Sequence, residues 1–454
     1  MIGRRLHFIG VGGVGMCGLA EILQGEGHTV SGCDLADSER TRRLAGLGAE
    51  VFKGHDPAHL EGVDAVVVSA AVPAENSELA AARAAGLPVV RRAEMLAELM
   101  RRRRGVAVAG THGKTTTSAL VGHLLVAAGL DPTVIVGGRS RLLGSHARAG
   151  LGPVLVCEAD EYDRSFLELG PDFAVITNLE PEHLECYGTE EALVEAFAAF
   201  ANRTAVFGAV VLCADDAGAR ALRPRLRRRV VSYGTSLDAE MRLEMLAADA
   251  NGSRFRVLRG GRELGEVRLR LPGGFNALNA VAALAVGLEL GCDFEILAAA
   301  CADFSGVARR FEVRGERAGV TVVDDYAHHP TELEAVLQAT RQAFPGRRVL
   351  AVFQPHLYSR TRDFARGFAA ALLGAEVAVV LPVYPAREQP IDGVDSQLIV
   401  DEAGRLGHPH AFAGAAFPQL MPQLEELLRP GDVLLTLGAG DVDRVATMWL
   451  EEAS

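Results

Sequence analysis

Lysine is nearly absent from this chain: of 46 basic residues, only Lys53 and Lys114 are lysines. Tryptophan occurs once, and the seven cysteines, Cys17, Cys33, Cys157, Cys186, Cys213, Cys292 and Cys301, contain no Cys-x-x-Cys pair. That spacing excludes a zinc or redox motif written in the sequence, and an odd, scattered set of thiols points to a reducing, cytoplasmic setting. No apolar run is long enough to span a bilayer, so no membrane insertion is expected. The apolar stretch within residues 1–12 is too short for a signal segment and runs straight into glycines. Positive charge is in deficit as well. A formal net charge of −12 argues against nucleic acid as the main partner, because such binding needs a sustained basic face. The arginine clusters at 101–104 and 220–229 read as solvated faces or linkers.

What is present suits a well-buried α/β protein: 49% hydrophobic and 23% charged residues over 454 positions. One core stops growing at roughly 250–300 residues, and three starts of strand–helix alternation divide the chain into 1–101, 102–308 and 309–454. The first start has strand Leu6–Ile9, a helical pattern over Met16–Gln24, and strands Thr29–Ser31 and Ala65–Ser69. The second has strands Gly105–Ala109, Val154–Glu158 and Ala174–Thr177 and closes near a helix over Asn279–Leu290. The third has strands Val320–Asp324, Arg348–Phe353, Val377–Leu381 and Val433–Thr436. Such alternation predicts mainly parallel sheets.

The strongest motif is Gly110-Thr111-His112-Gly113-Lys114-Thr115-Thr116, lying between an apolar strand and a helix. In that setting backbone N–H groups cradle phosphates, Lys114 reaches the β and γ phosphates, and the Thr115 hydroxyl meets Mg²⁺. The full G-x-x-x-x-G-K-[ST] spacing fails, since Val108 stands at its first glycine, so a tighter turn starting at Gly110 is expected. Arginine elsewhere but lysine here suggests a role that a guanidinium cannot fill. A second glycine turn, Gly10-Val11-Gly12-Gly13-Val14-Gly15, follows the first strand, with Asp34 near the end of the second. Alone it is a weak dinucleotide fingerprint. Next to a separate phosphate loop it suggests a different phosphorylated ligand, its diphosphate on the helix N-terminus.

Carboxylates cluster at Glu158, Asp160, Glu161 and Asp163 where a strand ends, and Asn178 to His183 follow the next strand; hard oxygen donors there suit Mg²⁺, with His183 completing a site. Asp324-Asp325-Tyr326-Ala327-His328-His329-Pro330 and Gln354 to Thr361 also sit at strand C-termini, where open α/β sheets build ligand sites. A guanidinium there would hold an amino-acid carboxylate bidentately.

Taken in order along nearly the whole chain, these stretches resemble the Mur ligases, and within them the alanine-adding branch. The resemblance implies an N-terminal Rossmann-like domain for a UDP-sugar, a central P-loop ATPase-type domain and a C-terminal Rossmann-like domain for the amino acid. It implies ATP and Mg²⁺ as cofactors, UDP-N-acetylmuramate and L-alanine as partners, and a monomer or weak homodimer. Gly12, Gly13, Val14, Asp34, His55 and Ser69 fall to the UDP-sugar. Gly110, Thr111, His112, Gly113, Lys114, Thr115 and Thr116 fall to the ATP phosphates, with Asn279, Arg310, Asp324 and Asp325 as further ATP contacts. Thr115, Glu158 and His183 fall to the metal, and Tyr326, His328, His356 and Arg360 to alanine. Lys114, Glu158, His183 and His328 are the catalytic candidates, within a mechanism that runs through an acyl phosphate.

Two departures stand out: Phe275 replaces a usual histidine beside the adenine, suggesting recognition by stacking, and Tyr162 replaces a more common serine. No lysine follows Lys114, which excludes the carbamylated lysine of several later Mur ligases. Three rivals remain: a recycling ligase that attaches a preformed peptide to the same sugar, a nicotinamide-dependent oxidoreductase built on Gly10–Gly15, and a nucleotide sensor without catalysis.

Overall fold

A computed structural model of the chain describes residues 3–138, 146–182, 184–386, 388–417 and 419–451, excluding the side chains of 184 and 185. Among the described residues, twenty-one strands fall into three sheets. The first, in the order β3-β2-β1-β4-β5, is formed by β1 (Arg5–Ile9), β2 (Thr29–Asp34), β3 (Glu50–Lys53), β4 (Ala65–Val68) and β5 (Val89–Arg91), all parallel.

The second sheet contains β6 (Arg104–Ala109), β7 (Thr133–Ile135), β8 (Ala147–Arg148), β9 (Val154–Glu158), β10 (Phe173–Ile176), β11 (Ala209–Cys213), β12 (Val230–Gly234), β13 (Met241–Asp249), β14 (Gly252–Arg259) and β15 (Arg262–Leu269). Its order is β15-β14-β13-β12-β11-β10-β6-β9-β7-β8. The third contains β16 (Glu312–Arg317), β17 (Val320–Asp325), β18 (Val349–Phe353), β19 (Val377–Val380), β20 (Ala411–Ala413) and β21 (Val433–Leu437), ordered β16-β17-β21-β18-β19-β20. It is parallel except for β16 against β17.

The strands that carry site loops are continuous apolar runs, as expected where helices cover both faces. In β6, every residue from Gly105 to Ala109 is buried. The helix Lys114–Ala127 that follows is buried from Thr115 to Leu125, so it has no polar face to give away. Removing Leu120 or Leu124, both fully buried, would cost roughly 3–5 kcal/mol each.

Contacts divide the chain into two compact units: Met1–Glu244 with Arg256–Val267 and Leu278–Phe304, and Met245–Phe255 with Arg268–Ala277 and Ser305–Ser454. The first and second sheets thus lie mostly in one unit, and the third sheet lies in the other. No described helix is long and apolar enough to cross a membrane.

Candidate functional site

The phosphate-type loop leaves β6 with Gly110 at φ 136° and Gly113 at φ 81°, both in the region that disfavours side chains. A Cβ at Gly110 would lie 2.0 Å from Thr177 Oγ1, and one at Gly113 would lie 2.8 Å from Asn279 Oδ1. The loop is stitched to the end of β10. Thr177 Oγ1 donates to His112 O at 2.6 Å, His112 N donates to Asn178 Oδ1 at 2.7 Å, and Glu180 N donates to Thr111 Oγ1 at 2.9 Å. Asn279 therefore flanks the loop, and the backbone around it is held before any ligand arrives.

Lys114 folds back over this loop. Its Nζ donates to Gly110 O at 2.6 Å and to both carboxylate oxygens of Glu161 at 2.8 Å. Burial alone would lower its pKa, but the carboxylates of Glu161 and Asp160 outweigh that and raise it, so it remains an ammonium. Glu161 is 2% exposed, and its backbone oxygen accepts from Tyr187 at 2.6 Å. Thr115 starts the helix beside Lys114. Glu158 ends β9 directly opposite Val108 of β6 and accepts from Gly137 N. The Thr115 hydroxyl at the helix start and the Glu158 carboxylate at the end of β9 are hard-oxygen donors of the kind Mg²⁺ prefers. His183, expected to complete it, lies outside the described residues.

The first glycine loop has the same strand–turn–helix form with the opposite charge in it. Gly10 has φ 82°, and a Cβ there would lie 3.2 Å from Ser69 Cβ. Gly12 N donates to Asp34 Oδ2 at 2.9 Å, and a Cβ at Gly12 would come within 2.8 Å of that oxygen. Gly13 is the N-cap of the helix Val14–Gly25. Gly12, Gly13, Val14, Asp34 and Ser69 thus converge, but His55 does not join them. Its Nδ1 faces Glu78 Oε2 at 2.9 Å and Cys33 Sγ at 3.2 Å.

In the second unit, two loops follow β17 and β18. Tyr326 lies under Arg309 and Arg310, whose guanidinium carbons stand 5.0 and 5.1 Å from its ring centre. His328 Nδ1 faces Tyr326 O at 3.1 Å, and its ring meets His356 edge-on at 6.1 Å. His356 stacks on Tyr384 at 5.7 Å. Burial, then the charges of His328 and Arg360, lower its pKa to about 4, so near neutrality it is an uncharged imidazole. Leu357, at φ 70°, caps the helix Tyr358–Leu372 that carries Arg360. Gln354, Tyr384 and Asp441 line a cavity of about 210 Å³ nearby.

Some expected site residues are engaged within the protein. Asp324 and Asp325, expected as ATP contacts, make framework bonds. Asp324 accepts from Thr436 Oγ1 at 2.5 Å and lies 3.3 Å from Arg309 Nε, while Asp325 accepts from Phe311 N at 2.6 Å and Ala327 N at 2.8 Å. Burial raises the Asp325 pKa to about 6. Phe275, expected to stack on an adenine, is partly buried against the apolar core around Leu333 and Phe368. His55 belongs to the Glu78 cluster. The sequence reading also missed partners now in view: Glu161 was one carboxylate among four, and Tyr384, Glu388 and Asp441 carried no motif. Glu388 accepts from Ser359 N at 2.9 Å beside Arg360.

Comparison with known proteins adds three matching family models. They are described as "Mur ligase family, catalytic domain" over residues 5–104, "Mur ligase middle domain" over 108–287 and "Mur ligase, glutamate ligase domain" over 309–440. A UDP-N-acetylmuramate--L-alanine ligase of Desulfatibacillum aliphaticivorans is 45% identical over 99% of this chain and 98% of its own. The crystal structure of a UDP-N-acetylmuramate-alanine ligase from Thermotoga maritima aligns with a TM-score of 0.82 at 32% identity, covering 99% and 98% of the two chains. A murein peptide ligase from Psychrobacter arcticus shares the fold, with a TM-score of 0.72 at 22% identity over 99% and 98%.

Proposed function

Because the chain belongs to the Mur ligase family, we propose that it joins L-alanine to the lactoyl carboxylate of UDP-N-acetylmuramate in the cytoplasm, with release of ADP and phosphate. The observation that carries this reading is Lys114, a partly buried ammonium at the mouth of a preformed phosphate loop. Near-full-length relatives named for this reaction support it.

In this reaction the muramoyl carboxylate attacks the γ-phosphate of ATP, giving an acyl phosphate and ADP. The amine of alanine then attacks the acyl carbon, and the tetrahedral intermediate expels phosphate. Lys114 exchanges Glu161 for the β and γ phosphates and offsets charge as phosphoryl transfer proceeds. The N–H groups of Gly113 to Thr115, at a helix N-terminus, hold the remaining oxygens. Thr115 and Glu158 would hold Mg²⁺, which would supply positive charge to offset that of the phosphates. Gly12, Gly13, Val14 and Ser69 are assigned to the UDP-sugar diphosphate. Tyr326, His328, His356 and Arg360 are assigned to alanine, with the neutral His356 offering a hydrogen bond and Arg360 a charge for its carboxylate. An α-amino group titrates near pH ~8, so a fraction is already nucleophilic without a strong base. The three sequence segments 1–101, 102–308 and 309–454 serve sugar, nucleotide and amino acid, in a monomer or weak homodimer.

The test is phosphate release from MgATP with UDP-N-acetylmuramate, comparing free L-alanine with L-alanyl-D-glutamyl-diaminopimelate as acceptor. Turnover with free alanine is expected. Preference for the tripeptide would make the chain a recycling ligase, and no release with either acceptor would overturn the reading.

A further inference from the structure

The first unit contains a second cluster of chemistry-bearing side chains that the ligase reaction does not use. It gathers on four separate elements: His7 in the middle of β1, Cys33 near the end of β2, His55 after β3, and Glu78 in the first turn of the helix Ser77–Ala84, which Asn76 caps through Leu79 N. Glu78 is completely buried, as are His7 and Cys33. Glu78 Oε2 lies 2.7 Å from Cys33 Sγ and 2.9 Å from His55 Nδ1, which are themselves 3.2 Å apart. Glu78 Oε1 lies 2.5 Å from His59 Nδ1 and 3.5 Å from His7 Nε2. His7 Nε2 has no hydrogen-bond partner among the described residues, although the ring is aimed by a 2.9 Å bond between Nδ1 and Ser31 Oγ. A buried imidazole nitrogen without a hydrogen bond is costly, and His7 shares its surroundings with the Glu78 carboxylate and the Cys33 thiol.

We propose that His7, Cys33, His55 and Glu78 form a site for a borderline transition-metal ion of the Zn²⁺ class, separate from the magnesium of the ligase reaction. One ligand atom each from His7, Cys33 and Glu78 already lies within 4.8 Å of the other two. Donors around tetrahedral Zn²⁺ with bonds of about 2.0–2.3 Å stand roughly 3.3–3.7 Å apart, so the spacings of 2.7–3.2 Å among Cys33 Sγ, His55 Nδ1 and Glu78 Oε2 require those three donors to spread by about an ångström or less, with a His7 nitrogen within 4.8 Å of the thiol and the carboxylate. Mixed sulfur, nitrogen and carboxylate ligands select this metal class over Mg²⁺. Charge also balances. On binding, the Cys33 thiol gives its proton to solvent, and thiolate plus carboxylate neutralise the dication, leaving no net charge in the buried site. His59, stacked on Phe52 at 4.0 Å, holds the other oxygen of Glu78 in the way that outer groups fix a metal ligand.

The full-length protein, stripped by chelation, is titrated with Co²⁺ and separately assayed for retained zinc after exposure to Zn²⁺ and gel filtration. About one equivalent is expected, with a thiolate-to-cobalt charge-transfer band absent from Cys33→Ser and weakened in Glu78→Gln. Zinc retention should fall by more than about 100-fold in Cys33→Ser, since loss of a direct ligand exceeds loss of an outer one. Wild-type protein that shows no thiolate band, or a band that persists in Cys33→Ser, overturns the site. The wild-type titration decides the matter even where a variant folds poorly, and because it reads a thiolate, its outcome is independent of ligase activity.

Discussion

The two glycine loops share a backbone plan and differ in what fills them. Each follows a parallel strand, has a positive-φ glycine at its start, Gly10 or Gly110, and opens a helix. In the first, a carboxylate from the neighbouring strand takes a loop N–H, Asp34 on Gly12. In the second, an ammonium from the helix's own first residue lies over the loop, held by Glu161. The helix N-terminus attracts anions in both cases. In the proposed function the side chain next to it sets the ligand: an acid can receive hydroxyls of a sugar, whereas a cation is suited to a phosphate that gains charge during reaction. Equal folds thus carry unequal chemistry.

Five substitutions at four positions would break or sharpen this contrast. The largest expected effect is Lys114→Met, which should lower kcat on the order of 10³-fold by removing an electrostatic stabiliser. Lys114→Arg should not restore it, because a planar fork does not replace a compact ammonium; steady-state phosphate release reads both. Next is Glu161→Gln, which removes the carboxylate bonded to the partly buried Lys114 and should cost about 3 kcal/mol of stability. Saturating MgATP should close much of that gap in a thermal melt, and a gap unchanged by nucleotide would refute the exchange of Glu161 for phosphate. Gly113→Ala should raise KM for ATP roughly tenfold, since positive φ costs a side chain about 1–2 kcal/mol and the added carbon meets Asn279. Gly12→Ala meets Asp34 and should raise KM for the UDP-sugar by roughly the same factor or less, since Gly12 is not at positive φ and the penalty is contact alone. If each substitution moved the other substrate's KM, the division of labour between the loops would be wrong.

Much of this was legible because strong local signals coincided. The run Gly105–Ala109 followed by glycines and Lys114 specified both a buried strand and the start of a helix, and β9 was read at its observed bounds, Val154–Glu158. The strands β13 to β15 were not read: their exposed and buried residues alternate irregularly, so no period marked them. Site chemistry was less legible than fold. Whether a carboxylate points out to a ligand or inward to backbone N–H groups depends on tertiary placement, as Asp325 shows with Phe311 N and Ala327 N. Cysteine spacing likewise excluded a local zinc motif, yet Cys33 meets His7 and Glu78 through strand pairing and helix docking that no spacing encodes.

The scarcity of lysine has a practical side. Lys53 is exposed on the first sheet, while Lys114 is enclosed by Glu161 and the loop carbonyls. An amine-directed acylating reagent therefore meets two side chains of very different reactivity, one a constant reference and the other a reporter. The ratio of label at the two positions, read by peptide mass, becomes a footprint of whether the nucleotide pocket is occupied.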